Sequence, residues 1–310
     1  SEDIEQLFFI LTKTLKSDTN PEGLCKFLVW PLTECVSTIG LSHFELSIHT
    51  LKAMTMVFTS EFAVRPFFIH HEEKTIAQFE KWLTDPNEHV RRWISEGSRP
   101  LLPWGKKLPR FVENPQLTWL FLETLKNDPS AYVRKSVANH LNDHSKHHPD
   151  FILAKLEQWR KVSPCDTTLH SLLKHATRTL AKKGAETALT FRGASHLSNI
   201  QIVSAKLLTP EVTLGQTLHA EITFKNQHHE PATLLVDHLI SLLRKNGKHT
   251  QKVFKGKQIK LTPFEEKRIQ LSLTLKPVTV RTYYTGTQFW SLQANGKRIE
   301  KIAFHLQVPT

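Results

Sequence analysis

Asp85-Pro86-Asn87-Glu88-His89-Val90-Arg91-Arg92 returns 43 residues later as Asp128-Pro129-Ser130-Ala131-Tyr132-Val133-Arg134-Lys135. That separation falls within the period of HEAT-type helix-pair repeats. Both segments read as helix starts. Asp supplies the cap, Pro occupies the first turn where its missing N–H costs nothing, and Val opens a buried face. The Arg after Val is expected to project from an inner helix into a groove. A looser third copy, without the Asp-Pro start, spans Pro164–Lys183. Repeats of this kind stack into a curved solenoid with a concave binding surface.

The flanking sequence carries the same texture. Asp3–Lys16 places Ile4, Leu7, Phe8, Leu11 and Leu15 on one stripe of period 3.6. Leu41–Phe58, Lys74–Leu83, Gln116–Lys126, Phe151–Trp159 and Leu169–Lys183 follow the same rule, with Pro, Gly and Asn-Asp pairs between them. After Phe191–Ser195 the pattern becomes alternating and β-branched, at Ile200–Leu208, Leu218–Lys225, Thr233–Leu243, Arg268–Leu275, Gln288–Leu292 and Ile302–Val308. Asn246-Gly247 and Asn295-Gly296 have the composition of type I′ hairpin turns. Six to eight short strands without helical period predict an antiparallel β-sandwich. The expected organisation is therefore an all-α HEAT-like repeat solenoid over residues 1–194, followed by an all-β sandwich over 195–310.

The formal net charge of +12 is uneven along the chain. Residues 1–90 hold 7 Lys/Arg against 13 Asp/Glu, residues 91–194 hold 18 against 9, and residues 195–310 hold 16 against 7. The last two-thirds are thus suited to a polyanion. Three cysteines at unrelated spacings (Cys25, Cys35, Cys165) support neither a disulfide framework nor a zinc site, and read as buried free thiols in a reducing cytosol. No apolar run approaches the roughly 20 residues of a membrane span, and no signal-peptide pattern is visible. Ser rather than Met at position 1 suggests a lost natural start.

The densest stretch is Val90–Gly105. Glu96 lies one helical turn after Arg92, the helix must stop near Gly97 ahead of Pro100, and Trp104 follows in a Pro-bounded loop. Asp143 occupies the corresponding helix end in the next repeat, so Glu96 and Asp143 are expected to converge on a groove lined by Arg92, Arg134 and Lys135.

The strings SEFAVRPF (Ser60–Phe67), WISEGSRPLLPW (Trp93–Trp104) and YVRKSVANHLND (Tyr132–Asp143) resemble the AlkC branch of the HEAT-like-repeat DNA glycosylases. The resemblance covers roughly residues 50–190. The sandwich is similar to the immunoglobulin-like extension of one subgroup of that branch. It implies a bacterial, cytoplasmic, nucleoid-associated monofunctional glycosylase, monomeric and without cofactor or metal. Such an enzyme excises N3-methylcytosine and N3-methyladenine from double-stranded DNA without extruding the base, and leaves an abasic site. By motif, Glu61, Glu96, Trp104 and Asp143 would face the lesion, while Arg92 and Arg134 would meet phosphates. Arg91, Arg99, Lys135, Lys255 and Lys257 complete the expected DNA-binding set. The basic cluster Lys255, Lys257, Lys260, Lys267 and Arg268 makes the sandwich a second hand on the duplex.

The chemistry suits these residue types. A ring-alkylated base is a cation and leaves as a neutral molecule, so acid catalysis is less needed. Negative charge near the deoxyribose and a held water are what help. A Trp face can meet the cationic base. Asp143 is assigned to water activation and Glu96 to positioning or charge stabilisation.

Blander readings stand beside these. Glu96 could pair with Arg92, Asp143 could cap a helix end, Trp104 could be core, and Glu61 could bridge to Arg65. Trp30, Trp82, Trp93, Trp119, Trp159 and Trp290 are the better core candidates. His140, His144, His147 and His148 start with metal-ligand spacing but lack a second ligand pair. Lys106 and Lys107 could form Schiff bases, though nothing marks them for it. A non-catalytic scaffold holding DNA or an acidic protein is the competing function.

Overall fold

The computed structural model describes residues 2–195, 200–279 and 281–309. They divide into two compact units, the first ending at Thr179 and the second beginning at Leu180.

The first unit is helical. Glu2–Lys13 (α1), Trp30–Ile39 (α2), Phe44–Thr55 (α3), Arg65–His70 (α4), Glu72–Lys81 (α5) and Glu88–Gly97 (α6) lead to Pro109–Glu113 (α7), Trp119–Leu125 (α8) and Ala131–His144 (α9). Pro149–Val162 (α10) and Thr167–Ala176 (α11) follow. The helix α2 starts on Trp30-Pro31, a proline in the first turn that reads as a break but is tolerated there. The stripe expected over Leu169–Lys183 is interrupted at Thr177, whose hydroxyl bonds the Leu173 carbonyl at 2.7 Å, and resumes as Arg178–Lys183 (α12).

The inner helices α3, α6, α9 and α11 pack in that order, each against the next, and the repeated motif shows why. The cap is not the motif's Asp. Asn87 and Ser130 cap α6 and α9, accepting from His89 N (2.8 Å) and Tyr132 N (3.2 Å). The Asp two residues earlier folds the approach instead, Asp85 Oδ1 accepting from Asn87 N (2.9 Å) and Asp128 Oδ1 from Ser130 N (2.8 Å). Each of these carboxylates also receives a cation from the preceding inner helix, Lys52 to Asp85 at 2.6 Å and Arg91 to Asp128 at 2.6 and 3.0 Å. The third copy keeps a cap of its own, Asp166 Oδ1 accepting from Thr168 N and Leu169 N.

Beneath the inner row, Val90, Trp93 and Ile94 of α6 are fully buried. The Trp93 ring lies 4.8 Å from Phe79 and 6.0 Å from Trp82. Burying side chains of this size contributes roughly 1.5–3 kcal/mol each, which holds the rear of the row rigid. Trp82, Trp159 and Trp290 are also buried, whereas Trp30 and Trp119 are partly exposed. The cysteines depart from expectation. Cys25 and Cys35 are half-buried and Cys165 is exposed.

The second unit carries Glu186–Thr190 (α13) and nine strands among its described residues. Ile200–Leu207 (β1), Thr217–Asn226 (β3) and Glu266–Thr274 (β6) form one sheet in the order β1-β3-β6. Glu211–Thr213 (β2), Ala232–Leu243 (β4), His249–Leu261 (β5), Gly286–Ala294 (β7) and Ile302–Gln307 (β9) form the other, ordered β2-β9-β7-β4-β5, with Lys297–Arg298 (β8) beside β7. Pairing is antiparallel except for the three-residue β2–β9 ladder, which is parallel. Between the sheets lie Trp290, Leu292, Leu234, Ile222, Phe224 and Phe304. The edge strand β5 escapes sequence reading because its run is Lys-rich and largely exposed, as suits an edge. Asn295-Gly296 is a type I′ turn, both residues having positive φ. At Asn246-Gly247 only the glycine has positive φ, so that hairpin turns differently.

Residues 180–194 group with the strands by contact, and Gln293 Nε2 donates to the Ala181 carbonyl (3.4 Å).

Candidate active site

Three chain segments bring acids together at one end of the inner-helix row. Glu61 comes from the turn before α4, Glu96 from the last turn of α6, and Asp143 from the last turn of α9. Small residues let α6 and α9 approach closely. The Ser136 and Ser95 hydroxyls lie 3.0 Å apart, and His140 Nδ1 meets the Ser95 carbonyl (2.9 Å).

Arg99, one turn past Glu96, joins the acids. Its Nη1 lies 2.6 Å from Glu96 Oε1 and its Nε 2.8 Å from Asp143 Oδ2. Two carboxylates from neighbouring repeats thus share one guanidinium, with Glu96 6%, Asp143 1% and Arg99 6% exposed. Burial opposes the Arg99 charge, but the two acids outweigh it and hold its pKa above the usual guanidinium value. Ser136 Oγ donates to Glu96 Oε2 (2.5 Å), and Lys146 Nζ lies 2.9 Å from Asp143 Oδ1. Glu61 Oε2 pairs with Arg92, which also donates to Thr59 Oγ1 (2.8 Å) and lies 5.1 Å from the Tyr132 ring centre. Arg92 Nη2 reaches Glu96 Oε1 at 3.6 Å. Burial, the leading cause, raises the Tyr132 hydroxyl pKa although Arg92 opposes it.

Trp104 lies beyond this cluster and is 96% exposed, with φ of +64°. An indole that no neighbour buries, on a backbone angle uncommon for any residue but glycine, is a costly arrangement in the absence of a ligand.

The structure brings Glu96 and Asp143 together as expected, with Glu61 joined to them through Arg92, but gives several cations other partners. Arg91 and Arg134, expected to reach into the groove, are turned back onto their own motifs. Arg91 Nη1 donates to the Asp85 and Pro86 carbonyls (2.7 and 3.1 Å), and Arg134 Nη1 to those of Asp128 and Pro129 (2.5 and 2.8 Å). Arg99, expected on DNA, is the buried bridge. Glu61 pairs with Arg92 rather than Arg65. Lys135 is exposed beside a groove of about 530 Å³ whose lining includes Thr167, Thr168, Ser171 and His175. In the second unit Lys255 and Lys257 are exposed on β5, and Lys257 Nζ donates to the Gln270 carbonyl at 2.9 Å.

The histidines behind the site are structural. His140 and His144 stack at 4.8 Å and share the Thr118 hydroxyl (3.3 and 3.0 Å), while His148 Nε2 meets the Val112 carbonyl at 2.7 Å. Among the described residues no cluster of three or more His, Cys, Asp or Glu is arranged to hold a metal, and no helix is long and apolar enough to cross a membrane. Thr59, Arg65, Tyr132 and Ser136 escape sequence reasoning as site components, since each matters through a partner 32 or more residues away.

Comparison with known proteins accords with this geometry. A family model described as DNA alkylation repair enzyme matches residues 37–184, and one described as the C-terminal Ig-like domain of the uncharacterised protein YhaZ matches residues 201–308. Uncharacterized protein YhaZ of Bacillus subtilis is 36% identical over 302 residues, spanning 96% of this chain and 82% of its own. The solved structure of the Pseudomonas fluorescens alkylpurine DNA glycosylase AlkC, bound to DNA containing an abasic site analog, matches 99% of this chain and 82% of its own, with a TM-score of 0.85 and 33% identity.

Proposed function

Because the chain belongs to the DNA alkylation repair enzyme family, with an AlkC-type helical-repeat unit and an Ig-like unit, we propose that it hydrolyses the N-glycosidic bond of cationic alkylated bases in duplex DNA. N3-methylcytosine and N3-methyladenine are the substrates, and the base is not extruded. The observation that carries this reading is the Arg99-bridged pair Glu96 and Asp143, with an exposed Trp104 eight residues after Glu96 in the chain.

The bond broken is C1′–N. Its electrons return to the ring, neutralise the alkylated base and let it depart without a proton from the enzyme. The sugar acquires oxocarbenium character, which Glu61 and Glu96 stabilise by charge. Water adds at C1′ and gives its proton to Asp143, leaving an abasic site and the free base. Lys146 is the more exposed of the two cations on Asp143, at 36% against 8% for Arg99. A DNA phosphate therefore competes for Lys146 and releases Asp143 Oδ1 to the water. The indole of Trp104 meets the cationic base through its face. Neither Lys106 nor Lys107 is required, so the reaction stops at the abasic site. Arg92, Lys135, Lys255 and Lys257 supply phosphate contacts, and the protein acts as a monomer in the bacterial cytoplasm.

The test is incubation with a duplex holding one N3-methylcytosine, followed by chromatography of the free base. The wild-type protein releases it. Asp143→Asn and Glu96→Gln each slow release on the order of 100-fold or more while DNA affinity holds or rises. Unchanged release by both variants removes these acids from the chemistry. DNA binding without release by the wild type makes the protein a scaffold.

A further inference from the structure

Arg65 opens α4 and is 0% exposed, the most shielded charge among the described residues. It forms no ion pair with a carboxylate there. Its Nη1 donates to the Gly97 and Arg99 carbonyls, both at 2.9 Å, and its Nε donates to the Lys106 carbonyl. Gly97 is the last residue of α6, where carbonyls lack partners inside the helix, and Arg99 follows two residues later. The third follows Trp104-Gly105 directly. A Cβ on Gly105 would stand 3.1 Å from Arg65 Cδ and 3.2 Å from its Nε, so the loop is folded tightly around this side chain.

The placement is costly. Burial, then repulsion from Arg99, lowers the Arg65 pKa to about 10, with Asp143, Glu61 and Glu96 pulling the other way. Its Nη2 has no hydrogen-bond partner among the described residues. Apolar side chains in such positions are often as stabilising or more so, so stability alone does not account for a guanidinium here. What it does uniquely is span two segments. It ties the Gly97 and Arg99 carbonyls, which flank the acid-bearing segment, to the Lys106 carbonyl two residues after the exposed Trp104.

We propose that Arg65 is a positioning residue, whose planar guanidinium holds the Gly97, Arg99 and Lys106 carbonyls in one place and so fixes Trp104 relative to the paired acids. The proposal rests on the glycosylase reading for its effect on rate, but not for its effect on the loop. A lysine cannot replace it, because one ammonium cannot reproduce the forked donor set that meets carbonyls on both segments.

Single-turnover release from the N3-methylcytosine duplex and the dissociation constant for that duplex are to be measured separately. The proteins are wild type, Arg65→Lys, Trp104→Ala and the double variant. Arg65→Lys is expected to slow release on the order of 100-fold, the effect of a displacement of about 1 Å, and to keep the dissociation constant within about threefold. The double variant is expected to lose far less than the product of the single losses. A folded Arg65→Lys at full rate, a loss wholly in binding, or multiplicative losses would each overturn the proposal. If Arg65→Lys does not fold, Gly105→Ala perturbs the same contact from the loop side and carries the same expectations. Time-resolved anisotropy of Trp104, isolated by subtracting the Trp104→Phe counterpart of each protein, reads the loop without activity. Faster depolarisation in the variant is expected and an unchanged decay overturns the proposal. No base release by the wild type, with faster depolarisation still seen in the variant, would sink the glycosylase reading and leave the positioning role standing.

Discussion

Removing Arg99 strips a shared cation from two carboxylates that are almost inaccessible to water. The side chains of Arg99, Glu96 and Asp143 are 8%, 8% and 1% exposed, with ion-pair distances of 2.6 and 2.8 Å. Deleting one member of a buried ion pair costs about 3–5 kcal/mol, mostly the penalty of the charge left behind. Two acids are left behind here, but neither is wholly abandoned. Asp143 keeps Lys146 at 2.9 Å, and Glu96 keeps Arg92 at 3.6 Å together with the Ser136 hydroxyl. These residual contacts put Arg99→Met near the lower figure, about 3 kcal/mol. Six of the seven tryptophans precede residue 180, so urea unfolding followed by tryptophan fluorescence reports the helical unit. The triple change Arg99→Met, Glu96→Gln, Asp143→Asn should recover most of the loss, since neither buried acid is then left charged without its cation. A loss below about 1 kcal/mol in Arg99→Met, or no recovery in the triple variant, would mean that the acids do not depend on one buried cation.

Three further outcomes follow from the same geometry. Trp104→Gly removes an indole that packs on nothing and puts glycine at a left-handed φ, so stability should hold within about 1 kcal/mol while base release falls at least tenfold; a large loss of stability would make Trp104 a packing residue. His140 and His144 are held neutral by burial, His144 pushed down to about 3 and His140 well below 6.5. The unfolded chain therefore binds protons that the folded one does not, and stability should drop as pH falls from about 6.5 towards 3, by up to about 1.4 kcal/mol per pH unit for each histidine. Urea unfolding at pH 7 and pH 5 checks this, and His144→Gln should flatten the slope. Finally, Arg91→Ala should destabilise by about 2–3 kcal/mol through the buried Asp128 pair without changing the salt dependence of DNA binding. Lys135→Ala should reverse that pattern, leaving stability within about 0.5 kcal/mol and lowering the salt slope by about one; equal behaviour of the two would refute the division of labour.

The repeat and its period were legible along the chain because helix starts are local events. A short polar side chain two or three residues before an amide, a proline and a following apolar stripe need no tertiary contact to be recognised. The same holds for most of the strands, for the Asn295-Gly296 turn and for the placing of Glu96 and Asp143 at matching helix ends. Long-range pairing is a different matter. Whether an arginine faces solvent or turns back is decided by which carbonyls and carboxylates the fold brings within 3 Å. Arg91 and Arg99 look alike in sequence, yet one braces Asp128 of the next repeat and the other is the buried link between two acids. The Lys-rich run of β5 shows no apolar period because most of its side chains are exposed, with only Ile259 and Leu261 near its end buried. Arg65 is the extreme case, since its meaning lies entirely in carbonyls 32 to 41 residues further on, and backbone acceptors carry no letter in a sequence.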